Sequence, residues 1–417
     1  MRFQSPRGTE DVLPDQSYRW IRLEQTFRDL TRRYGFSEIR TPTFEETELF
    51  TRSVGDTSDI VTKEMYVFTD KGDRSMTLKP EGTAGVMRAA VQHNLCPPGT
   101  VARLAYIVPV FRYERPQKGR YRESHQVGLE LMGAASYHAD AEVIEITVEF
   151  FRAIGLSEVQ VSLNSIGRGK CRSAYRAAIL KHVGPLLEEL TPEMKARAEK
   201  NPLRLLDSKD PSIQEAMTVV PPITDFLEPQ SAANFASLQD TLERRGIPFR
   251  LDPKIVRGLD YYTDTVFEII STRLGAQNAL CGGGRYDGLM KELGGPDTPS
   301  VGVGIGIERA LIALEDAGVD WPPPRPDVFV IGVDDATWPE ADQIAREVRQ
   351  AGFAAITDPE VKSLKSQLRQ ADRLSARKAF ILGPDELSKG IVQVRDLEAS
   401  ETKEVPRAEV LSVLRGS

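Results

Sequence analysis

An α+β core with a largely antiparallel sheet flanked by helices, followed by a separate α/β domain, is the fold this sequence predicts. Three observations lead there. Pro322, Pro323, Pro324 and Pro326 interrupt the chain in WPPPRPDVFVIGV, and neither a helix nor a central strand tolerates such a run. After them strand-like and helix-like segments alternate, the pattern of a small α/β domain over residues 326–417. Before them DTVFEIIST, ALCGGGRYDGL and SVGVGIG are strand-like and separated by turns rather than helices, so their sheet should be largely antiparallel.

Taken in order, Tyr18 to Tyr34 has the apolar spacing of an amphipathic helix and is closed by Gly35. FSEIRTPTFEE is strand-like with a proline inside it, and SMTLKPEGTAGVMRAAVQHN runs from a strand through PEGT into a helix. LAYIVPVFRYE and YRESHQVGLELMG are two strands joined by the turn RPQKGR. ADAEVIEITVEFFRAIG is a helix closed by Gly155, and VQVSLNSIG is a strand. Residues 170–240 change character: AYRAAILKHVG, TPEMKARAEK and SAANFASLQDTLERRG are helices punctuated by prolines, as in an inserted helical unit. Residues 1–325 therefore form the first domain, interrupted at about 170–240. Past the proline run, DVFVIGV, FAAITD, KAFILG and IVQVRDL are strands, and EADQIAREVRQAG and SLKSQLRQADRLSA are helices.

Composition narrows the function. With 417 residues, 40% hydrophobic and 28% charged, the chain is that of a soluble globular protein of two or three domains. MRFQSPRGTEDVLPD lacks the apolar centre of a signal peptide, and no apolar run could span a bilayer, so a cytosolic location is expected. Cys96, Cys171 and Cys281 are far apart, and His93, His125, His138 and His182 match no metal spacing, so no metal-binding residues are expected. A formal net charge of -7 argues against nonspecific coating of nucleic acid, although an RNA bound through local patches stays possible.

Against that acidic background, Phe111 to Glu130 (FRYERPQKGRYRESHQVGLE) is a basic island carrying Arg112, Arg115, Lys118, Arg120 and Arg122. Such an island fits an anionic ligand, phosphate first, because the guanidinium fork matches its oxygens. Period-two alternation puts Val108, Val110, Arg112 and Glu114 on one face, and Ser124, Gln126, Gly128 and Glu130 on one face of the returning strand. Arginine, amide and carboxylate around a glycine gap form either a wall for a small polar molecule or a solvent face. No GxxxxGK[ST] occurs, and VGVGIGIE fails the dinucleotide fingerprint, so Gly302, Gly304 and Gly306 suit a strand packed closely beneath a ligand. PEGTAG sets Glu81 and Thr83 at a strand-to-helix junction, where Thr83 could be only an N-cap. In RGLDYYTDTVFE, after Arg257 and Gly258, adjacent Tyr261 and Tyr262 are expected on opposite sheet faces. Tyr286 sits in GGGRYDG, and Arg309 in the first turns of the helix GIERALIAL. Each tyrosine alone could equally be core.

FRYERPQKGRYRESHQ, RGLDYYTDTVFE, CGGGRYDGL and GIGIERA together resemble histidyl-tRNA synthetases, a class II family of aminoacyl-tRNA synthetases. The resemblance runs from PRGTEDVLP through the C-terminal domain, with motif 1 near Pro42, motif 2 at Phe111 to Glu130 and motif 3 around Arg309. It implies a class II core, histidine activation by ATP to histidyl-adenylate and pyrophosphate, and transfer of histidine to the 3′ end of tRNA(His). Magnesium would come with the ATP, zinc is not expected, and the chain would pair as a homodimer through motif 1. It implies roles as well: Arg112 on the α-phosphate, Arg309 by the γ-phosphate, and Glu114 in the ATP site. Arg257 would reach both the substrate carboxylate and the α-phosphate, making it catalytic together with Arg112. Glu81, Thr83 and Gln126 correspond to α-amino binders, and Glu130 with Tyr262 to imidazole binders, with Tyr261 and Tyr286 lining the pocket. Arg115, Gln117 and Lys118 would meet the tRNA acceptor end, and residues 326–417 the anticodon. Ser124 departs from the family, because class II enzymes usually carry there an aromatic that stacks on adenine; Lys79 stands where arginine is frequent. The alternative is a noncatalytic relative, the synthetase-like regulatory subunit of ATP phosphoribosyltransferase, which usually lacks the C-terminal domain. A class II synthetase for glycine, threonine or proline is a more distant one, disfavoured by RGLDYY.

Overall fold

The computed structural model describes residues 3–55, 58, 60–187, 195, 198, 202–206, 210–255, 259, 261–271 and 279–415. Two compact units emerge, Met1–Trp321 and Pro322–Ser417. Among the described residues no helix is long and apolar enough to cross a membrane.

In the first unit the strands are β1 (Ser37–Glu38), β2 (Phe44–Glu46), β3 (Val67–Thr69), β4 (Ser75–Leu78), β5 (Ala102–Phe111), β6 (Glu123–Met132), β7 (Val159–Ser165), β8 (Phe249–Leu251), β9 (Thr263–Ser271), β10 (Ala279–Arg285) and β11 (Ser300–Gly306). Eight of them form one sheet in the order β1-β5-β6-β11-β10-β9-β7-β8. Only β1–β5 and β7–β8, at the two edges, are parallel; every other neighbour pair is antiparallel, as the turn-separated strands predict. Strands β2, β4 and β3 make a small separate sheet.

Alternation gives the large sheet two different faces. Val127, Leu129 and Leu131 of β6, with Val301, Val303 and Ile305 of β11, point into the principal core. Helices Pro14–Arg33, Tyr137–Ile154 and Ile307–Asp316 cover that face with side chains such as Phe27, Phe150 and Leu314. Helix Tyr137–Ile154 starts at Ser136, whose side chain accepts the His138 N–H, and stops at Gly155 in the left-handed region (φ +107°). Burying side chains as large as Phe150 and Phe151 contributes about 1.5–3 kcal/mol each.

The opposite face carries Tyr106, Val108 and Val110 from β5, and from β6 the residues paired with them, Gly128, Gln126 and Ser124. Glycines 302 and 304 of β11 lie on this face too, opposite Glu130 and Gly128. This face is therefore concave in its middle, where side chains are missing.

Within residues 170–240 the structure divides. Helix Gly169–Leu187 packs through Tyr175, Ile179 and Val183 against the second core, together with Ile213 and Ile223. Helix Pro229–Arg244 instead sends Phe235, Leu238 and Leu242 into the principal core beside Tyr137–Ile154. Most of TPEMKARAEK lies outside the described residues.

The second unit adds β12 (Val328–Gly332), β13 (Ala355–Thr357), β14 (Lys378–Leu382), β15 (Ile391–Asp396) and β16 (Thr402–Pro406), ordered β13-β12-β14-β15-β16. The first three are mutually parallel and the last two antiparallel. Val328, Val330 and Phe380 meet helix Trp338–Gln350 on one face, and Phe329, Ile331 and Ala379 meet Ala371 of helix Leu364–Arg373 on the other. Two elements here have weak sequence signals and are additional to the expectation: helix Pro384–Lys389, too short for a period, and β16, whose side chains are mostly exposed and polar.

Gly128 illustrates the constraint on the concave face, because a Cβ there would overlap the Tyr106 ring. Gly128→Ala should lower unfolding free energy by about 1–3 kcal/mol, read as an earlier midpoint in chemical denaturation with unchanged slope.

Candidate active site

The deepest feature of the concave face is a carboxylate. Glu130 is fully buried. Its Oε1 accepts the Thr83 hydroxyl at 2.7 Å, its Oε2 accepts the Tyr286 phenol, and the Tyr106 phenol reaches both it and Thr83. Gly302 permits this, since a Cβ at that position would collide with the Glu130 carboxylate and the Tyr286 hydroxyl. Two further rings stand near Tyr286: Tyr261 lies 4.7 Å from Tyr262 and 5.4 Å from Tyr286 between centroids, and Tyr262 lies 6.2 Å from Tyr286. The expectation of one phenol on each sheet face is corrected here. Both tyrosines precede β9, where the alternation of a strand does not apply, and both are buried in the same cluster.

Glu81 and Thr83 sit at the start of helix Thr83–Gln92. Glu81, not Thr83, is the capping side chain: it accepts the Thr83 N–H at 2.8 Å and the Ala84 N–H at 2.7 Å. Thr83 is thereby free to turn its hydroxyl to Glu130. Burial raises the Glu81 pKa despite those donors and the nearby Arg112.

Beside this pocket opens a cleft of about 420 Å³ lined by Arg112, Glu114, Arg120, Tyr121, Ser124, Gln126, Glu268 and Arg309, among others. Arg112 lies just past the end of β5. Its amide donates to Arg122 O at 3.0 Å and its Nε to Pro80 O at 2.8 Å, which fixes the guanidinium at the mouth between cleft and pocket. Glu114 sits between Arg112 at 4.0 Å and Arg120 at 3.7 Å. Arg309 donates from Nη1 to Ala279 O at 2.8 Å. His125 points to the other side of β6; its amide donates to Glu308, and its Nδ1 lies 3.0 Å from that carboxylate. That contact ties the Arg309 helix to motif 2 and, through the hydrogen bond, raises the His125 pKa.

The structure thus brings together Glu81, Thr83, Glu130, Tyr261, Tyr262 and Tyr286 in the pocket, and Arg112, Glu114, Gln126 and Arg309 in the cleft. Arg115, Gln117 and Lys118 lie apart from both, exposed on a tight turn where Gln117 and Arg120 bridge and Lys118 pairs with Asp316 at 3.4 Å. Arg257 lies outside the described residues. Sequence reasoning missed Tyr106 and Glu268. Both were reachable by alternation: Tyr106 is two residues before Val108, and Glu268 two after Val266, on the same faces.

Burial pushes the Glu130 carboxyl up to about 8, against the lowering effect of the Tyr286 and Thr83 donors. The ordinary value is 4.5, so between these two values the folded chain holds a proton that the unfolded chain has lost. The stabilisation is fully present below the unfolded value and is lost as pH rises through the folded one. Chemical denaturation of Glu130→Gln and the parent at about pH 5 and about pH 9 should therefore show the variant gaining relative stability at the higher pH.

The histidyl-tRNA synthetase family model matches residues 8–310, and an anticodon-binding domain model matches residues 327–417. A histidine–tRNA ligase of Moorella thermoacetica is 48% identical over 412 residues, covering 98% of this chain and 97% of the relative. One of Alkaliphilus oremlandii is 44% identical over 406 residues, covering 97% and 96%. Among solved structures, apo S. aureus histidyl-tRNA synthetase superposes with a TM-score of 0.84 at 34% identity, covering 99% of this chain and all of that one. The chain belongs to the histidyl-tRNA synthetase family.

Proposed function

We infer that this chain is a histidine–tRNA ligase, which activates L-histidine with ATP and then transfers it to the 3′ end of tRNA(His). Near-full-length identity of 48% to a curated ligase supports the activity. The observation in the molecule that carries the reading is Glu130, buried among hydroxyls beside an arginine-lined cleft. The noncatalytic regulatory alternative is disfavoured by the anticodon-binding match at residues 327–417.

In this reading the histidine side chain enters the tyrosine pocket. A free imidazole titrates near 6.5, and Glu130 about 8, so a neutral ring meets a protonated carboxyl or an imidazolium meets a carboxylate with the same proton count. Glu130 and Tyr262 would serve the two ring nitrogens. An apolar side chain of the same size would bring no hydrogen-bonding nitrogen to these buried polar groups, which disfavours it. Glu81, Thr83 and Gln126 would hold the α-amino group, and Tyr261 and Tyr286 the ring faces.

ATP would occupy the cleft. The histidine carboxylate oxygen attacks the α-phosphorus and pyrophosphate leaves. Negative charge builds on the α-phosphoryl oxygens, where Arg112 and, by family correspondence, Arg257 would stabilise it; Arg309 would neutralise the γ-phosphate. Glu114 and Glu268 bring hard carboxylate oxygens to the cleft, a donor set that fits Mg²⁺, which neutralises phosphate charge when bound with ATP. Tyr121 lines the cleft beside Ser124, supplying an aromatic ring where residue 124 has none. In the second step the terminal ribose hydroxyl attacks the adenylate carbonyl and AMP leaves. The exposed Arg115, Gln117 and Lys118 would meet the acceptor end, and residues 326–417 would act as the anticodon-binding domain.

A homodimer is proposed through the motif 1 region. Phe44 and Phe68, with rings 6.2 Å apart, stay exposed on the small sheet. Next to them is a groove of about 940 Å³ lined by Thr41, Pro42, Glu45 and Arg88. An apolar pair at the edge of such a groove suits burial against a second copy.

Pyrophosphate exchange into ATP should require histidine and no other amino acid; its absence in purified protein would refute the ligase reading. Arg257→Ala should slow adenylate formation by roughly 10²- to 10³-fold while weakening histidine binding far less, separable by single-turnover kinetics. Sedimentation at micromolar concentration should report a dimer, and replacing Phe44 and Phe68 by aspartate should shift it to monomer.

A further inference from the structure

Tyr262 and Tyr286 come from different segments, and an aspartate follows each closely. Asp264 follows Tyr262 by two residues, and Asp287 follows Tyr286 directly. One guanidinium joins them: Arg168 pairs through Nε with Asp264 and through Nη2 with Asp287. Both aspartates are largely buried, with 8% of each residue exposed.

Asp264 also carries backbone strain, with φ at +47°, a conformation that an L-residue keeps only when its surroundings impose it. Those surroundings are visible. Its N–H donates to Gly167 O at 3.1 Å, its carbonyl accepts the Ile166 N–H at 2.7 Å, and its Oδ1 accepts the Ser231 hydroxyl at 2.8 Å. Asp287 Oδ1 accepts the Ser300 N–H and Arg285 Nη1, each at 3.1 Å, and Arg285 pairs in turn with Asp140 at 2.6 Å. One helical turn beyond Arg168, Arg172 donates to the Tyr262 carbonyl at 3.0 Å.

We propose that Arg168 is a positioning residue for imidazole recognition: its two arms clamp Asp264 and Asp287 and so fix the spacing between Tyr262 and Tyr286. The proposal rests on the reading of the tyrosine pocket as the histidine site. Without the guanidinium, Asp264 loses this partner and Asp287 keeps Arg285 alone, so nothing bridges the two acids and their repulsion loosens the two segments. Only a planar fork spans both acids at once; an ammonium is a single point of charge. Arg168 belongs to neither the lining of the ATP cleft nor the tyrosine pocket itself, so its loss should be felt at histidine and not at ATP.

The test is pyrophosphate exchange with full-length protein, varying histidine and ATP separately, for the parent, Arg168→Leu and Arg168→Lys. Arg168→Leu should raise the KM for histidine by on the order of 10- to 100-fold while the KM for ATP changes less than about twofold. Arg168→Lys, which keeps the charge and loses the fork, should fall between. Parallel rises in both KM values would mark a merely structural role and overturn the proposal, as would an unchanged histidine KM in Arg168→Leu. Should the leucine variant be insoluble, the lysine variant decides: a rise selective for histidine supports the clamp, and an unchanged KM overturns it. Lack of histidine-dependent exchange in the parent would sink the ligase reading. Activity in the parent with a nonselective variant sinks only the clamp.

Discussion

Burying a carboxylate without a cation against it costs a protein more than most single contacts return, and among the described residues the partners of Glu130 are hydroxyls rather than cations. Three hydroxyls, from Thr83, Tyr106 and Tyr286, converge there, and they do not offset the desolvation, since the group still titrates at about 8. A core that served stability alone would place a hydrocarbon at that position. What the arrangement creates is an unmet demand for a polar partner with N–H groups, held within walls of tyrosine. Much of the surrounding structure answers to it: Gly302 clears the carboxylate, Gly128 and Gly82 clear Tyr106, and Glu81 caps a helix so that Thr83 can turn inward.

The sheet makes this possible by separating two tasks. On β6 and β11 the odd-numbered residues Val127, Leu129, Val301 and Val303 bind the helical layer, while Gln126, Gly128, Glu130, Gly302 and Gly304 face the other way. One face pays for folding while the other is left with gaps and charges. Because strand side chains alternate strictly, a one-residue slip would exchange the faces, burying the glycines in the core and exposing the valines. The register that places Gly302 opposite Glu130 is thus held by hydrophobic burial on the far side of the sheet.

That division also explains what could be seen in the sequence. The alternation in β5, β6 and β11 is local, so the residues that share the polar face, the basic island and the glycine gap were all legible from spacing. The sheet's antiparallel character was legible too, from turns that leave no room for crossover helices. What alternation could not reach lay where it stops. Tyr261 and Tyr262 precede their strand, whose first residues include the left-handed Asp264, so strand alternation does not set their side. Tyr106 was overlooked because a lone aromatic in an apolar strand is usually core; only its glycine neighbours across space distinguish it. Helix Pro229–Arg244 resembled its helical predecessors in sequence, yet its apolar stripe fits the principal core, a tertiary choice that spacing does not encode.

The charges beneath the pocket follow the same economy as Glu130, with the opposite sign of outcome. Asp140, Asp264 and Asp287 are buried, and Arg168 and Arg285 are arranged among them so that each acid meets at least one guanidinium. A buried ion pair adds little net stability over a hydrocarbon pair, because desolvation consumes most of the attraction. Its geometry, however, is strict: a bidentate fork tolerates little displacement before a buried charge is left alone. Such a network is poorly suited to adding stability and well suited to fixing distances. Here the distances it fixes are those between the segments that carry Tyr262 and Tyr286 into the pocket around Glu130.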